Sequence, residues 1–290
     1  MAADPPRPSP RSEESGFERL GPRVAETPLV LAVPHAGRTY PPALFDSSAV
    51  PLAILEQLED RYADLLIGKA IEMGAVAIVA RVARAWIDLN RGEEDLDPML
   101  RDPPGSGPPL TARARSGLGL LPRRVGRRDL WHTAPTAESA AQRIATIHRP
   151  YHAAIAEALE AASRRFGHAV LIDCHSMPTL TGMRPPRIVI GDAHGRAAGK
   201  GVGAEVARIA RAQGLVTALN APYAGAHSLA RHGRPADNVH ALQIEVDRAL
   251  YLDRDMRTPD EGLRRAQSLI WMLAQTAVTL TQPPLAIAAE

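Results

Sequence analysis

Residues 29–37 read LVLAVPHAG and residues 169–176 read AVLIDCHS, and these two stretches decide the fold. Each is a short, largely apolar run that leads into a histidine, His35 or His175. Runs this short and apolar suit strands buried on both faces of a largely parallel sheet. Working outward, similar β-branched runs at 75–82, 187–191, 215–219 and 240–246 predict further strands. Longer Ala-rich segments at 51–73, 137–166, 197–213 and 259–280 carry apolar residues at three- and four-residue spacing and predict helices. The order is β-α-β, a long loop, then α-β-β-α-β-β-α. It predicts an α/β fold: a central mixed, mostly parallel sheet with helices on both faces, in one domain over 23–290. Residues 1–22, rich in Pro, Ser and mixed charge and without an apolar run, read as a mobile tail. The segment RDPPGSGPP at 101–109 reads as a surface loop.

Composition narrows the function. The chain has 290 residues, 45% hydrophobic and 23% charged, enough to bury a full core and with no run that would span a membrane. Its 34 basic and 32 acidic residues interleave and sum to +2, which argues against a nucleic-acid partner. Lysine occurs only at 69 and 200, so arginine supplies the positive charge and favours bidentate carboxylate binding. The single cysteine, Cys174, permits no internal disulfide and no Cys-rich zinc site. A reducing cytoplasm is the expected compartment.

In open α/β sheets the ligand sits beyond the carboxyl ends of the strands. Four expected strand ends carry polar residues: Pro34-His35-Ala36-Gly37, Asp88-Leu89-Asn90-Arg91, Asp173-Cys174-His175-Ser176 and Gln243-Ile244-Glu245-Val246. Two histidines in equivalent places point to a shared metal ion, because neutral imidazole is the commonest zinc ligand. A catalytic zinc takes a third protein ligand and keeps a water position, so a carboxylate should complete the set. The position three after His35 is Arg38, which excludes the short HxxE pairing. Asp60 and Asp64 are the next acids on a plausible path; Asp60 lies off the apolar stripe of its helical segment, where spacing alone suits a solvated carboxylate as well as a ligand. Strand alternation puts Ala241, Gln243 and Glu245 on one face. A glutamate there is either ion-paired, with Arg231 or Arg248, or a general base.

The ordered set PHAG (34–37), DLNR (88–91), LIDCHS (171–176), RHGRP (231–235) and HALQIEV (240–246) resembles the N-formylglutamate amidohydrolase family, from about Leu29 to Leu252. That family is similar in fold to the zinc carboxypeptidases and aspartoacylase. The resemblance implies one Zn2+ per chain, with His35, His175 and Asp60 as ligands and Glu245 as general base. It implies Asn90 and Arg91 as binders of the substrate carboxylate and Arg84 near the scissile carbonyl, with Arg231 as a further carboxylate binder. The substrate class implied is a small N-acyl amino acid, N-formyl-L-glutamate first. Two departures stand out: Gly225-Ala226-His227-Ser228-Leu229-Ala230 replaces an aromatic and threonine-rich run, and Glu93, Glu94 and Asp95 follow Arg91-Gly92 where proline is usual. A catalytically inactive carboxylate-binding protein of the same fold is the alternative.

Other candidates read as structural. Cys174 and His175 are strand neighbours facing opposite ways and cannot form a catalytic pair. His148 and His152, four apart with no glutamate between them, read as exposed helix-face residues. The Gly191–Gly195 segment lacks a phosphate-loop lysine and reads as a turn, with Asp192 or His194 near the pocket. Arg113, Arg115, Arg123, Arg124, Arg127 and Arg128 read as a solvated loop.

Overall fold

The computed structural model of the chain describes residues 16–101 and 103–283. Contacts divide the chain into two compact units. Among the described residues, the first comprises 16–18, His35–Glu59, 79–101 and 103–151; the second comprises Arg19–Pro34, Asp60–Ile78 and 152–283.

The central sheet runs mostly in the second unit. Its strands are β1 (Phe17–Leu20), β2 (Leu29–Val33), β3 (Val76–Ala80), β6 (Ala169–Met177), β7 (Ile188–Gly191), β8 (Thr217–Leu219) and β9 (Val239–Asp247), in spatial order β1-β3-β2-β6-β9-β7-β8. A separate two-stranded hairpin, β4 (Arg124–Val125) with β5 (Arg128–Asp129), belongs to the first unit. β6 is central and buried along all nine residues. It pairs in parallel with β2, Ala32 opposite Asp173, and with β9, His175 opposite Glu245. β7 runs antiparallel to β9, so the sheet is mixed as the sequence predicts.

Strands buried on both faces need apolar cover, and helices supply it. The helix α4 (Leu263–Leu280) buries Ala266, Leu269, Ile270, Leu273, Ala274, Ala277 and Val278, a stripe at three- and four-residue spacing. Earlier helices of the same unit include most of α1 (Arg149–Phe166), α2 (Val202–Ala212) and the short α3 (His227–His232). α2 begins after Gly201 at φ 82°, a left-handed position that suits glycine. In the first unit Leu44, Leu55, Leu58, Ala85, Val125 and Leu130 form a core against which Tyr40, Trp86 and Trp131 pack. Each fully buried leucine contributes about 1.5–3 kcal/mol. Among the described residues no helix is long and apolar enough to cross a membrane.

Three expectations need correction. Residues 17–20 of the expected tail form strand β1, while residues 1–15 lie outside the described set. The helix expected over 51–73 is broken into Leu52–Leu55, a 3₁₀ turn at Glu56–Leu58, Ala63–Leu66 and Gly68–Glu72. The break falls on Glu59–Tyr62, where Tyr62 adopts φ 58° and Asp60 lies in irregular chain. Finally, the helix over 137–166 contains a π-helical stretch at Ile144–His148.

Candidate functional site

The second unit supplies a carboxylate-rich cluster around one imidazole. His175 lies inside β6 rather than after it, and alternation puts it on the same face as Asp173. Its Nε2 is 3.0 Å from Asp173 Oδ2 and its Nδ1 is 2.8 Å from Asp60 Oδ2. The chain break at Glu59–Tyr62 frees Asp60 from helical geometry and turns its carboxylate to the ring. Arg248, directly after β9, holds the same carboxylate at 3.5 Å and donates to Ser176 Oγ at 3.1 Å. Glu245 stands opposite His175 in the β6–β9 register, and Gln243, on the same face, donates to its Oε1 at 2.9 Å.

His175, Asp60 and Asp173 are all buried. Burial alone would pull the imidazole's pKa down, but Asp173, Asp60 and Glu245 outweigh it and raise it well above the ordinary histidine value. An imidazole with a carboxylate at each nitrogen either carries two protons or gives one position to a metal ion. Three carboxylates around one buried ring leave negative charge that a divalent cation would balance, and imidazole with carboxylate is a donor set zinc accepts. Cys174 is buried, and burial followed by Asp173, Asp60 and Glu245 pushes its thiol well above the ordinary range, so it is no nucleophile.

The first unit supplies a second buried cluster, organised by Asp88. This carboxylate is fully buried and accepts from His35 Nε2 at 2.7 Å, Arg84 Nε at 2.8 Å and the Asn90 backbone N–H at 2.9 Å. Burial would raise its pKa; Arg84, His35 and Arg91 override that and hold it well below the usual carboxylate value. The bond to Asp88 assigns the His35 proton to Nε2 and the lone pair to Nδ1, the arrangement in which outer carboxylates present a metal-binding histidine. Arg91 is buried; its Nε donates to the Leu118 carbonyl at 3.1 Å and its Nη1 to the Asn90 carbonyl at 3.2 Å. Burial lowers its pKa. The acids behind it have their own roles: Glu93 pairs with Arg149 at 2.8 Å, Asp97 with Arg123 at 3.1 Å, and Asp95 is buried.

The structure thus gathers His35, Arg84, Asn90 and Arg91 around Asp88, and Asp60 with His175 beside Glu245. Arg231 is exposed on α3. The turn after β7 holds Asp192 to Asn220 and the Gly195 N–H, and Gly191 pairs with Gln243 in the middle of β9. His148 and His152, expected to be exposed, are fully buried. Sequence reasoning missed Asp88, Asp173 and Arg248 as site residues. Alternation from His175 marks Asp173, and the Asp88–Asn90 bond is the local turn that aspartate commonly makes two residues ahead.

A family model described as N-formylglutamate amidohydrolase matches residues 27–252. N-formylglutamate deformylase of Pseudomonas aeruginosa is 31% identical over 244 residues, covering 81% of this chain and 86% of that protein. Its counterpart from Pseudomonas putida is 28% identical over 233 residues, covering 78% and 82%. Among solved structures, N-formylglutamate amidohydrolase from Ralstonia eutropha JMP134 superposes with a TM-score of 0.79 at 31% identity, covering 92% of this chain and 97% of that one. A gene product of Agrobacterium tumefaciens shares the fold, with a TM-score of 0.66 at 17% identity over 93% of this chain and 96% of that one.

Proposed function

The chain belongs to the N-formylglutamate amidohydrolase family, and from that membership we propose that it hydrolyses the formyl amide of N-formyl-L-glutamate to formate and L-glutamate, using one zinc ion held by His35, Asp60 and His175. It is a hydrolase acting on an amide. The observation that carries the substrate is the 31% identity, over 81% of this chain, to a deformylase named for N-formylglutamate.

For the metal, support comes from the donors. His35, Asp60 and His175 are buried, and each offers one atom of a kind that binds a metal ion. β2 and β6 run parallel with Ala32 opposite Asp173, and His175 lies two residues beyond Asp173 on β6. His35 has its Nε2 on the buried carboxylate of Asp88, which presents Nδ1 as its ligand atom, and His175 has Asp173 at Nε2 and the proposed co-ligand Asp60 at Nδ1.

A bound zinc ion supplies Lewis-acid polarisation of the formyl carbonyl and lowers the pKa of an attacking water toward about 7. Glu245, its Oε1 fixed by Gln243, takes the proton of that water and delivers it to the departing glutamate nitrogen. Arg84, anchored through Nε on Asp88, is assigned to the negative charge that develops on the formyl oxygen. Asn90 and Arg91 bind the substrate carboxylate, and Arg231 binds the second one. Arg91 is restrained by two backbone carbonyls, so little side-chain entropy remains to be lost on binding.

Formate release tests the reading. The purified protein supplied with Zn2+ is expected to release formate from N-formyl-L-glutamate and to act poorly on the corresponding diamide. Absence of formate from N-formyl-L-glutamate, or equal rates on acid and diamide, overturns it.

A further inference from the structure

We propose that the π-helical turn Ile144–His148 is a positioning device for the loop that carries Asp88, Asn90 and Arg91, and that His148 is a positioning residue for Arg91. The inference rests on the assignment of Arg91 to the substrate carboxylate, and all the residues it uses lie in the first unit. The segment from Trp86 to Gly92 has neither helix nor strand, so its backbone carbonyls need partners from elsewhere. One short stretch of chain supplies them. Arg143 Nη1 donates to the Trp86 carbonyl at 3.1 Å and His148 Nε2 to the Arg91 carbonyl at 2.8 Å. Arg149 then grips the Glu93 carboxylate through Nε at 2.9 Å and Nη2 at 2.8 Å. The grip therefore brackets Asp88–Arg91 on both sides. Arg143 and His148 are buried, and the Arg143 guanidinium lies 3.2 Å over the Trp86 ring.

The π turn makes this grip possible. Residues five apart on an α-helix are rotated by about 140° from one another and face different ways. Here the Arg149 N–H bonds to the Ile144 carbonyl, five residues back, and the wider turn brings Arg143 and His148 to the loop together. His148 then acts on Arg91 directly. A carbonyl only accepts, so His148 Nε2 carries the proton. Gly92 follows Arg91, and glycine lets the peptide between them turn readily; the His148 bond fixes its plane. The Arg91 side chain is tied in turn to the Leu118 and Asn90 carbonyls, so the aim of its guanidinium follows from the backbone that His148 holds.

Steady-state kinetics of the full chain, with circular dichroism to confirm folding, tests this. His148→Phe keeps a ring and removes the donor; it should raise KM for N-formyl-L-glutamate at least about fivefold while kcat stays within about twofold. His148→Gln places an amide N–H near the position of Nε2 and should bring KM back to within about twofold of the wild type. In an Arg91→Lys background, His148→Phe should add less than about twofold, because the residue it acts through is already altered. A merely structural histidine would lower the thermal midpoint, leave KM alone and add its full effect to that of Arg91→Lys. If His148→Phe does not fold, His148→Asn, whose amide ends near the position of Nδ1 and falls short of the Arg91 carbonyl, should give the same rise in KM. Wild-type KM in the folded donor-less variant, or full additivity with Arg91→Lys, overturns this inference alone. A wild type that releases no formate overturns the proposed function and this inference with it.

Discussion

Replacing Asp88 with asparagine keeps the shape of the side chain and removes its charge. In the wild type this fully buried carboxylate accepts bonds from His35, Arg84 and the Asn90 backbone at 2.7–2.9 Å. Hydrogen bonds to a charged group contribute about 1.5–3 kcal/mol each. Removing one partner of a buried ion pair costs about 3–5 kcal/mol, because the other charge stays behind. The Arg84 side chain is 15% exposed, so some of that charge finds water, and an amide oxygen still accepts one bond. The expected loss is about 3 kcal/mol at pH 7, read as a lower urea midpoint. The folded pKa of Asp88 lies well below its reference value of 3.8, so its stabilisation is complete above about 3.8 and fades as pH falls through the folded value. The stability gap between wild type and Asp88→Asn should therefore be constant from pH 7 to about 5 and narrow only below about 4. Because Asp88 also orients His35, zinc affinity should fall about 10–100-fold. A gap below about 1 kcal/mol at pH 7, or unchanged zinc affinity, would refute the assignment of Asp88 as the organising charge.

Other changes separate the remaining roles. Glu245→Gln should fold and retain zinc while kcat for formate release falls at least about a hundredfold; loss of folding would make Glu245 a structural residue instead. Arg91→Lys should raise KM for N-formyl-L-glutamate, with kcat/KM down about 10–100-fold, because an ammonium cannot reproduce the guanidinium fork; steady-state kinetics with the diamide as control give the comparison. Chelation of wild type should lower the thermal midpoint at pH 7, and zinc at about 100 times its Kd should restore about 2.7 kcal/mol of stability, measurable by calorimetry.

The main sheet was legible because its strands advertise themselves. β2 was read to the residue from LVLAV, and β9 to within one residue at each end from HALQIEV. The break at Glu59–Tyr62 was not legible, because it is set by distant partners: Asp60 goes to His175 and Arg248, Arg61 donates to the Arg257 carbonyl at 3.1 Å, and Tyr251 donates to the Arg61 carbonyl at 2.7 Å. A local 3.6-residue period runs straight through such a site. The burial of His148 and His152 was readable but overlooked: with Tyr151, Ile155, Leu159 and Ala162 they fall on one apolar stripe. Asp88 stands within DLNR, but nothing local says that its carboxylate will meet His35 fifty-three residues away.

Formate release from N-formyl-L-glutamate before and after chelation tests zinc-dependent deformylation by His35, Asp60, His175 and Glu245. Chelated protein should be inactive, Zn2+ should restore the wild type, and the same Zn2+ should restore nothing in folded His175→Ala. Full formate release by chelated wild type, or by zinc-treated His175→Ala, would contradict it.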